Sequence, residues 1–115
     1  MATLGDVAKL MSEKQLDREI REMLNDLGLS KFSFHPYGAG GYQAGYPDWT
    51  IAGPYGLLFR ELKIETKQPT AAQKAWIERL RANGQDVDVW RPSDLYTGRI
   101  ARELTAISGI ARSAR

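Results

Sequence analysis

The chain contains no cysteine, so no disulfide braces it and no thiolate is present to hold zinc. Histidine occurs once, at His35, with no carboxylate or second histidine close by in sequence. That isolation favours a structural or substrate-side role over a general base. No stretch approaches the roughly 18 consecutive apolar residues that a membrane span requires. The N-terminus lacks a basic segment followed by an apolar run, so no signal peptide is visible, and an intracellular, cytoplasmic protein is expected. Neither sign of charge dominates. Sixteen Lys and Arg face 14 Asp and Glu, a formal +2, which is too little to mark a nucleic-acid binder by itself. At 115 residues the chain allows one domain with a modest core.

The charge is unevenly placed. Residues 1–30 carry 4 basic and 6 acidic side chains, whereas residues 79–115 carry 7 basic and 4 acidic ones. All seven basic residues of the later stretch are arginines, from Arg79 to Arg115. Arginine grips phosphate oxygens in a planar fork, so this stretch is a candidate for phosphate contact as well as for an ordinary solvated surface.

Local signals divide the chain as follows. Residues 1–11 read as a poorly ordered lead-in. Ser12 with Gln15 forms a capping-box pattern, and Leu16, Ile20, Met23, Leu24 and Leu27 make one apolar helical stripe that Gly28 ends. Lys31–Tyr37 alternates as a strand. Gly38–Gly45 is a glycine-rich loop without the Lys-Ser/Thr ending of a nucleoside-triphosphate cradle. Thr70 opens a second helix through Asn83, with Trp76, Ile77 and Leu80 inward. Asp86–Arg91 is a further strand, and Ser93 opens a C-terminal helix or turn that reaches Leu104 and Ile107. The order is α-β-β-β-α-β, an α/β fold, with a helical tail over 97–115.

The chemistry concentrates in the central hairpin. Residues 46–52 and 57–64 are β-type runs joined by Gly53-Pro54-Tyr55-Gly56, a strong turn signal. If Ala52 opposes Leu57, then Asp48 opposes Glu61. A Gly bulge at Gly56 would shift that register by one. Opposed residues have Cβ atoms about 4.5–5.5 Å apart, and like charges there are destabilising. A divalent cation would remove the repulsion. Alternation puts Glu61 and Lys63 on one face, and Leu58, Leu62 and Ile64 on the other with Trp49 and Ile51.

Pro47-Asp48, Glu61-Leu62-Lys63, Gln73 in the next helix, then Gly84 and Val89–Asp94 resemble the PD-(D/E)XK nuclease superfamily, and more narrowly a stand-alone VRR-NUC domain of the phage type. The resemblance covers residues 12–96, with that superfamily's core element order. It implies a metal-dependent DNA endonuclease, with Mg²⁺ or Mn²⁺ held by Asp48, Glu61 and the Leu62 backbone carbonyl. Such ions take hard oxygen ligands of this kind. Glu13 would complete the shell directly or through water. Lys63 would stabilise charge at the scissile phosphate, and Gln73 would orient Lys63, water or substrate.

Several residues carry two readings from sequence. Gln73 lies three positions after Thr70 and would complete a capping box. It also lies on the inward stripe, where an unpartnered amide is costly. Glu13 suits a helix first turn through the macrodipole, yet shares the stripe of Leu16 and Ile20. Arg91, Lys67 and Lys74 are candidate phosphate contacts, and Tyr42 and Tyr46 candidate stacking residues. The resemblance further implies a homodimer acting on branched DNA such as a four-way junction. Leu95, Ile100, Leu104, Ile107 and Ile110 are too many apolar residues for a solvated tail, so they dock on a partner subunit or on the core. A non-specific or nicking nuclease, a catalytically silent DNA-binding module and a plain α/β interaction domain are the alternatives.

Overall fold

The computed structural model describes residues 1–36 and 43–110. Its elements are α1 (Leu4–Ala8), α2 (Glu13–Asp26), a 3₁₀ turn (Ser30–Phe32), β1 (Ser33–Phe34), β2 (Trp49–Gly53), β3 (Gly56–Leu62), α3 (Ala71–Ala82), β4 (Asp86–Trp90), α4 (Pro92–Tyr96) and α5 (Arg99–Ser108). The four strands form one sheet in the order β1-β2-β3-β4. β1 and β3 each run antiparallel to β2, and β4 joins β3 in parallel through the α3 crossover. This is the expected α/β architecture.

The hairpin adopts the expected register. Ala52 opposes Leu57 and Trp49 opposes Arg60, with Gly53 paired to Gly56. The two glycines are there for space. A Cβ on either would strike Ile107 at the end of α5, where the Ile107 carbonyl accepts from the Tyr55 amide at 3.1 Å. The turn is thereby seated on the last helix.

The capping boxes at Ser12 and Thr70 both form. Leu16, Ile20 and Leu24 of α2 are buried, as are Trp49, Ile51, Leu58 and Leu62 of the hairpin and Ile100, Leu104 and Ile107 of α5. These side chains make a single cluster with Leu29 and Trp90. Thus α2 and α5 cover one sheet face. The opposite face receives α3, of which only Ile77 is buried.

Two expectations are corrected here. Residues 1–11 are not an unstructured lead-in: Thr3 and Asp6 form a capping box, α1 follows, and Ala8 is fully buried. Of the strand expected over 31–37, the described residues 31–36 form only Ser33–Phe34, because the chain first makes a 3₁₀ turn and Ser33 Oγ donates to the Leu29 carbonyl at 2.7 Å; Tyr37 lies outside the described residues. The helix expected beyond residue 97 forms as α5, and of the two docking options its Ile100, Leu104 and Ile107, with Leu95 beside them, take the core of this subunit, while Ile110 is 42% exposed.

A charged cluster lies inside the packed face. Arg60 alternates with Leu58 and Leu62 and is 2% exposed. Its guanidinium donates to Glu103 Oε1 and Asp86 Oδ1, both at 2.9 Å, and to the carbonyls of Phe59 and Asp86. Glu103 Oε1 also accepts from Trp90 Nε1 at 2.8 Å, and Oε2 accepts from Arg99 Nε at 2.7 Å. Burial alone would raise the Glu103 carboxyl; the Trp90, Arg60 and Arg99 donors outweigh it and hold that carboxyl below its ordinary range. Removing the carboxylate takes one of the two charged partners from a buried guanidinium and the acceptor from the Trp90 indole N–H, leaving both under-satisfied. Glu103→Ala should therefore lower the unfolding free energy by about 2–3 kcal/mol. Urea denaturation checks this, and a loss under about 0.5 kcal/mol would contradict the buried-network reading.

Candidate active site

Asp48 follows Pro47 at the point where β2 leaves the ladder. The last ladder pair is Trp49 with Arg60, so Asp48 and Glu61 face each other one step beyond it. Pro47 is fully buried. Just after it the Asp48 carboxylate turns back to the neighbouring strand: its Oδ2 accepts from the Leu62 amide at 2.7 Å. Asp48 is thus a strand-end ligand for the backbone as well as a candidate metal ligand.

Glu61 is held from the other side. β3 pairs with β4 at Glu61–Val89 and Leu62–Trp90, which fixes its backbone in the middle of the sheet. The residue is 2% exposed. Its Oε2 accepts from Gln73 Nε2 at 2.7 Å and lies 4.0 Å from Lys63 Nζ. Its Oε1 is buried and has no hydrogen-bond partner. A carboxylate oxygen in that state is costly unless something else binds it.

Gln73 has both of the roles open to it. Its Oε1 accepts from the Thr70 amide at 2.8 Å, which completes the capping box, while Nε2 reaches Glu61. One amide therefore ties the start of α3 to the site. Gly45 makes this docking possible. It sits at φ +85°, and a Cβ there would collide with the backbone of Ala72 and Gln73.

The electrostatics follow from burial. Burial first, then the Asp48 charge, pushes the Glu61 carboxyl up to about 8, and Lys63 opposes the rise. Asp48 is raised by burial too, against the Leu62 amide and His35, which lower it. Each carboxyl is therefore near enough to act on the other, and one proton, or one cation, would relieve the pair.

The remaining sequence candidates fall in different places. Glu13 is exposed overall and stands at the rim rather than inward. Its carboxyl is raised first by partial burial and then by Asp48, and lowered by Lys63, so it feels the pair without joining it in a compact cluster. Among the described residues, no group of three or more acidic or histidine side chains is arranged to hold a metal. Lys67 and Lys74 are exposed on the α3 side. Arg91 does not reach outward: its Nη1 donates to the carbonyls of Ile64 and Lys67 at 2.7 Å each, which braces the loop after β3. Tyr46 packs edge-on against Trp76 at 5.0 Å and shares a hydrogen bond with Thr50 Oγ1, so its ring is already in use. Tyr42 lies outside the described residues. Arg99 is committed to Asp88, Asp94 and Glu103, and Arg81 to the Val87 carbonyl, which removes much of the arginine-rich stretch as a phosphate surface.

One group of neighbours went unforeseen. Asp17 accepts from Trp49 Nε1 at 2.8 Å and from Arg21 Nε at 2.7 Å, and lies 3.3 Å from His35 Nε2. The sequence signal for it was Glu13, Asp17 and Arg21 at successive four-residue steps on one side of α2.

No family model matches the chain, and no curated protein matches it. A solved structure described as a VRR_NUC domain protein does. It is 27% identical, with a TM-score of 0.55, and the match covers 74% of this chain and 84% of that one. Motif, element order and this likeness agree, and together they support reading the chain as similar to a VRR-NUC domain.

Proposed function

We propose that this protein is a metal-dependent DNA endonuclease of the VRR-NUC type, with Asp48, Glu61 and Lys63 at its centre. The observation that carries the reading is the buried, unpartnered Oε1 of Glu61 beside a second desolvated carboxyl. Two carboxyls forced together out of water suit a hard divalent cation, and Mg²⁺ or Mn²⁺ fits this all-oxygen donor set. Asp48, Glu61 and the Leu62 carbonyl would hold the ion, with Glu13 contributing from the rim through water. Such an ion supplies a polarised water and neutralises charge on a phosphate oxygen.

The chain's own residues do the rest. Lys63 stands on the same strand edge as Glu61 with its side chain 14% exposed, so its ammonium projects into the mouth of the site. There it would meet the charge that develops on the phosphate. Gln73 fixes the Glu61 rotamer through Oε2, so that Oε1 stays pointed at the ion position. Lys67 and Lys74, both exposed, offer phosphate contacts beside the entry of α3.

Preference for branched DNA such as a four-way junction, and action as a two-fold dimer, are finer parts of the same proposal. A dimer would cover Leu57, which is 39% exposed on the hairpin. Light scattering at micromolar concentration should give twice the chain mass. A strictly monomeric mass would remove the dimer.

Cleavage of plasmid DNA should require Mg²⁺ or Mn²⁺ and stop in chelator. Lys63→Ala should lower the rate about 100-fold or more with the melting temperature unchanged within a few degrees. Cleavage that survives chelator or this substitution would overturn the mechanism.

The raised Glu61 carboxyl has a consequence for stability. Its folded value lies above its unfolded one, so between about 4.5 and 8 the folded state binds more protons and stability falls as pH rises. Without metal the melting temperature should drop from pH 5 to pH 8. Glu61→Gln should flatten that slope, and Mn²⁺ should restore stability at pH 8. A metal-free slope that is the same in Glu61→Gln would show that the pair is not strained.

A further inference from the structure

Beside the carboxylate pair, on the β1 side, runs a groove of about 440 Å³. Arg21, Leu24 and Asn25 of α2 form one wall, and Phe34, His35 and Trp49 form the other. Its volume is in the range of pockets that take small organic ligands. None of the roles assigned above uses it.

The groove neighbours the active site: Trp49 directly follows Asp48, and His35, which lines the groove, is near enough to lower the carboxyls of both Asp48 and Glu13. Asp17, one turn along α2 from Glu13, fixes the inner wall by binding Trp49, Arg21 and His35 together. His35 packs edge-on against Trp49 at 4.9 Å, and the Arg21 guanidinium lies over the Trp49 ring at 4.8 Å. These contacts make a rigid aromatic floor.

The charge balance says which part of a substrate belongs there. The Arg21 charge is met by Asp17 at 2.7 Å. The Arg21 guanidinium is therefore already paired and is a poor anchor for a phosphate. Its outer wall is the ring of Phe34, 54% exposed on an edge strand where nothing in the core needs it. At its far end Ser30 Oγ donates to Asn25 Oδ1 at 2.5 Å, which leaves the Asn25 amide N–H groups as donors. A flat, uncharged ring with hydrogen-bond acceptors on its edge matches these features.

We infer that this groove is a subsite for one unpaired nucleobase of the DNA strand being cut, stacked on Phe34 and hydrogen-bonded by Asn25. The inference rests on the nuclease reading for the nature of the substrate. A base enters only if it has left its pair. The subsite therefore selects strands that are single-stranded or frayed next to the cleaved bond, and a branch point supplies such a base.

The test is a binding measurement that needs no cleavage. A short fluorescein-labelled single-stranded oligonucleotide is titrated with the protein in chelator, and a single abasic site is moved along it. In the wild type one abasic position should weaken binding about tenfold, the size of one lost stacking contact. Phe34→Ala and Phe34→Leu should bind the intact strand about tenfold more weakly and no longer sense that position. Both should melt like the wild type, because Phe34 is exposed. An abasic walk with no sensitive position, or with the same sensitive position in both variants, would overturn the subsite. Mg²⁺-dependent cleavage by the same variants separates the two readings: cleavage that persists beside a flat abasic walk rejects the groove alone. No cleavage by any form, beside a positive walk, rejects the nuclease and keeps the groove.

Discussion

Two acidic side chains that would repel each other, Glu61 buried and Asp48 half-buried, are held side by side, and much of the structure around them serves to keep them there. Asp48 is held by the Leu62 amide and by the buried Pro47 before it. Glu61 is held by pairing of β3 with β4 and by Gln73. Gly45 lets the incoming chain pass against the start of α3, so that Gln73 can reach. Sheet, hairpin turn and helix cap therefore converge on one pair of carboxyls. The protein without metal meets the repulsion by raising both carboxyls towards the protonated form. A cation would meet it without a proton.

The opposite face of the same strand solves a different problem. Arg60, next to Glu61 in sequence, points into the core and needs Glu103, Asp86 and two carbonyls to be buried at all. Glu103 serves Trp90 and Arg99 as well. α5 is thereby fixed to β3 and β4 by charge as well as by Ile100, Leu104 and Ile107. β3 carries functional charge on one side and structural charge on the other. A change at Arg60 would alter the backbone that positions Glu61.

The local grammar of the chain was legible. The capping boxes at Ser12 and Thr70 span three residues each, and the hairpin register follows from the turn, so short-range rules suffice. The opposition of Asp48 and Glu61 came directly from that register. Long-range pairing was not legible. Arg60 falls on the core-facing alternation of Leu58 and Leu62, but the carboxylate that satisfies it, Glu103, comes 43 positions later and leaves no local signal. Arg91 and Arg99 look like phosphate ligands until carbonyls and carboxylates from other elements claim them. Gln73 posed a choice between capping and function only because a sequence does not show that the two ends of one amide can act separately. The Asp17 cluster was missed because Trp49, 32 residues away, is what gathers it.

The account depends on the carboxylate pair being a divalent-cation site. The most direct measurement is anomalous diffraction from crystals of the full chain soaked in Mn²⁺. The account predicts a manganese peak in contact with Glu61 Oε1 and an Asp48 oxygen, absent in Glu61→Gln crystals soaked alike. Manganese found only elsewhere on the surface, with the Asp48–Glu61 gap empty or filled by a Lys63 ammonium, would contradict it.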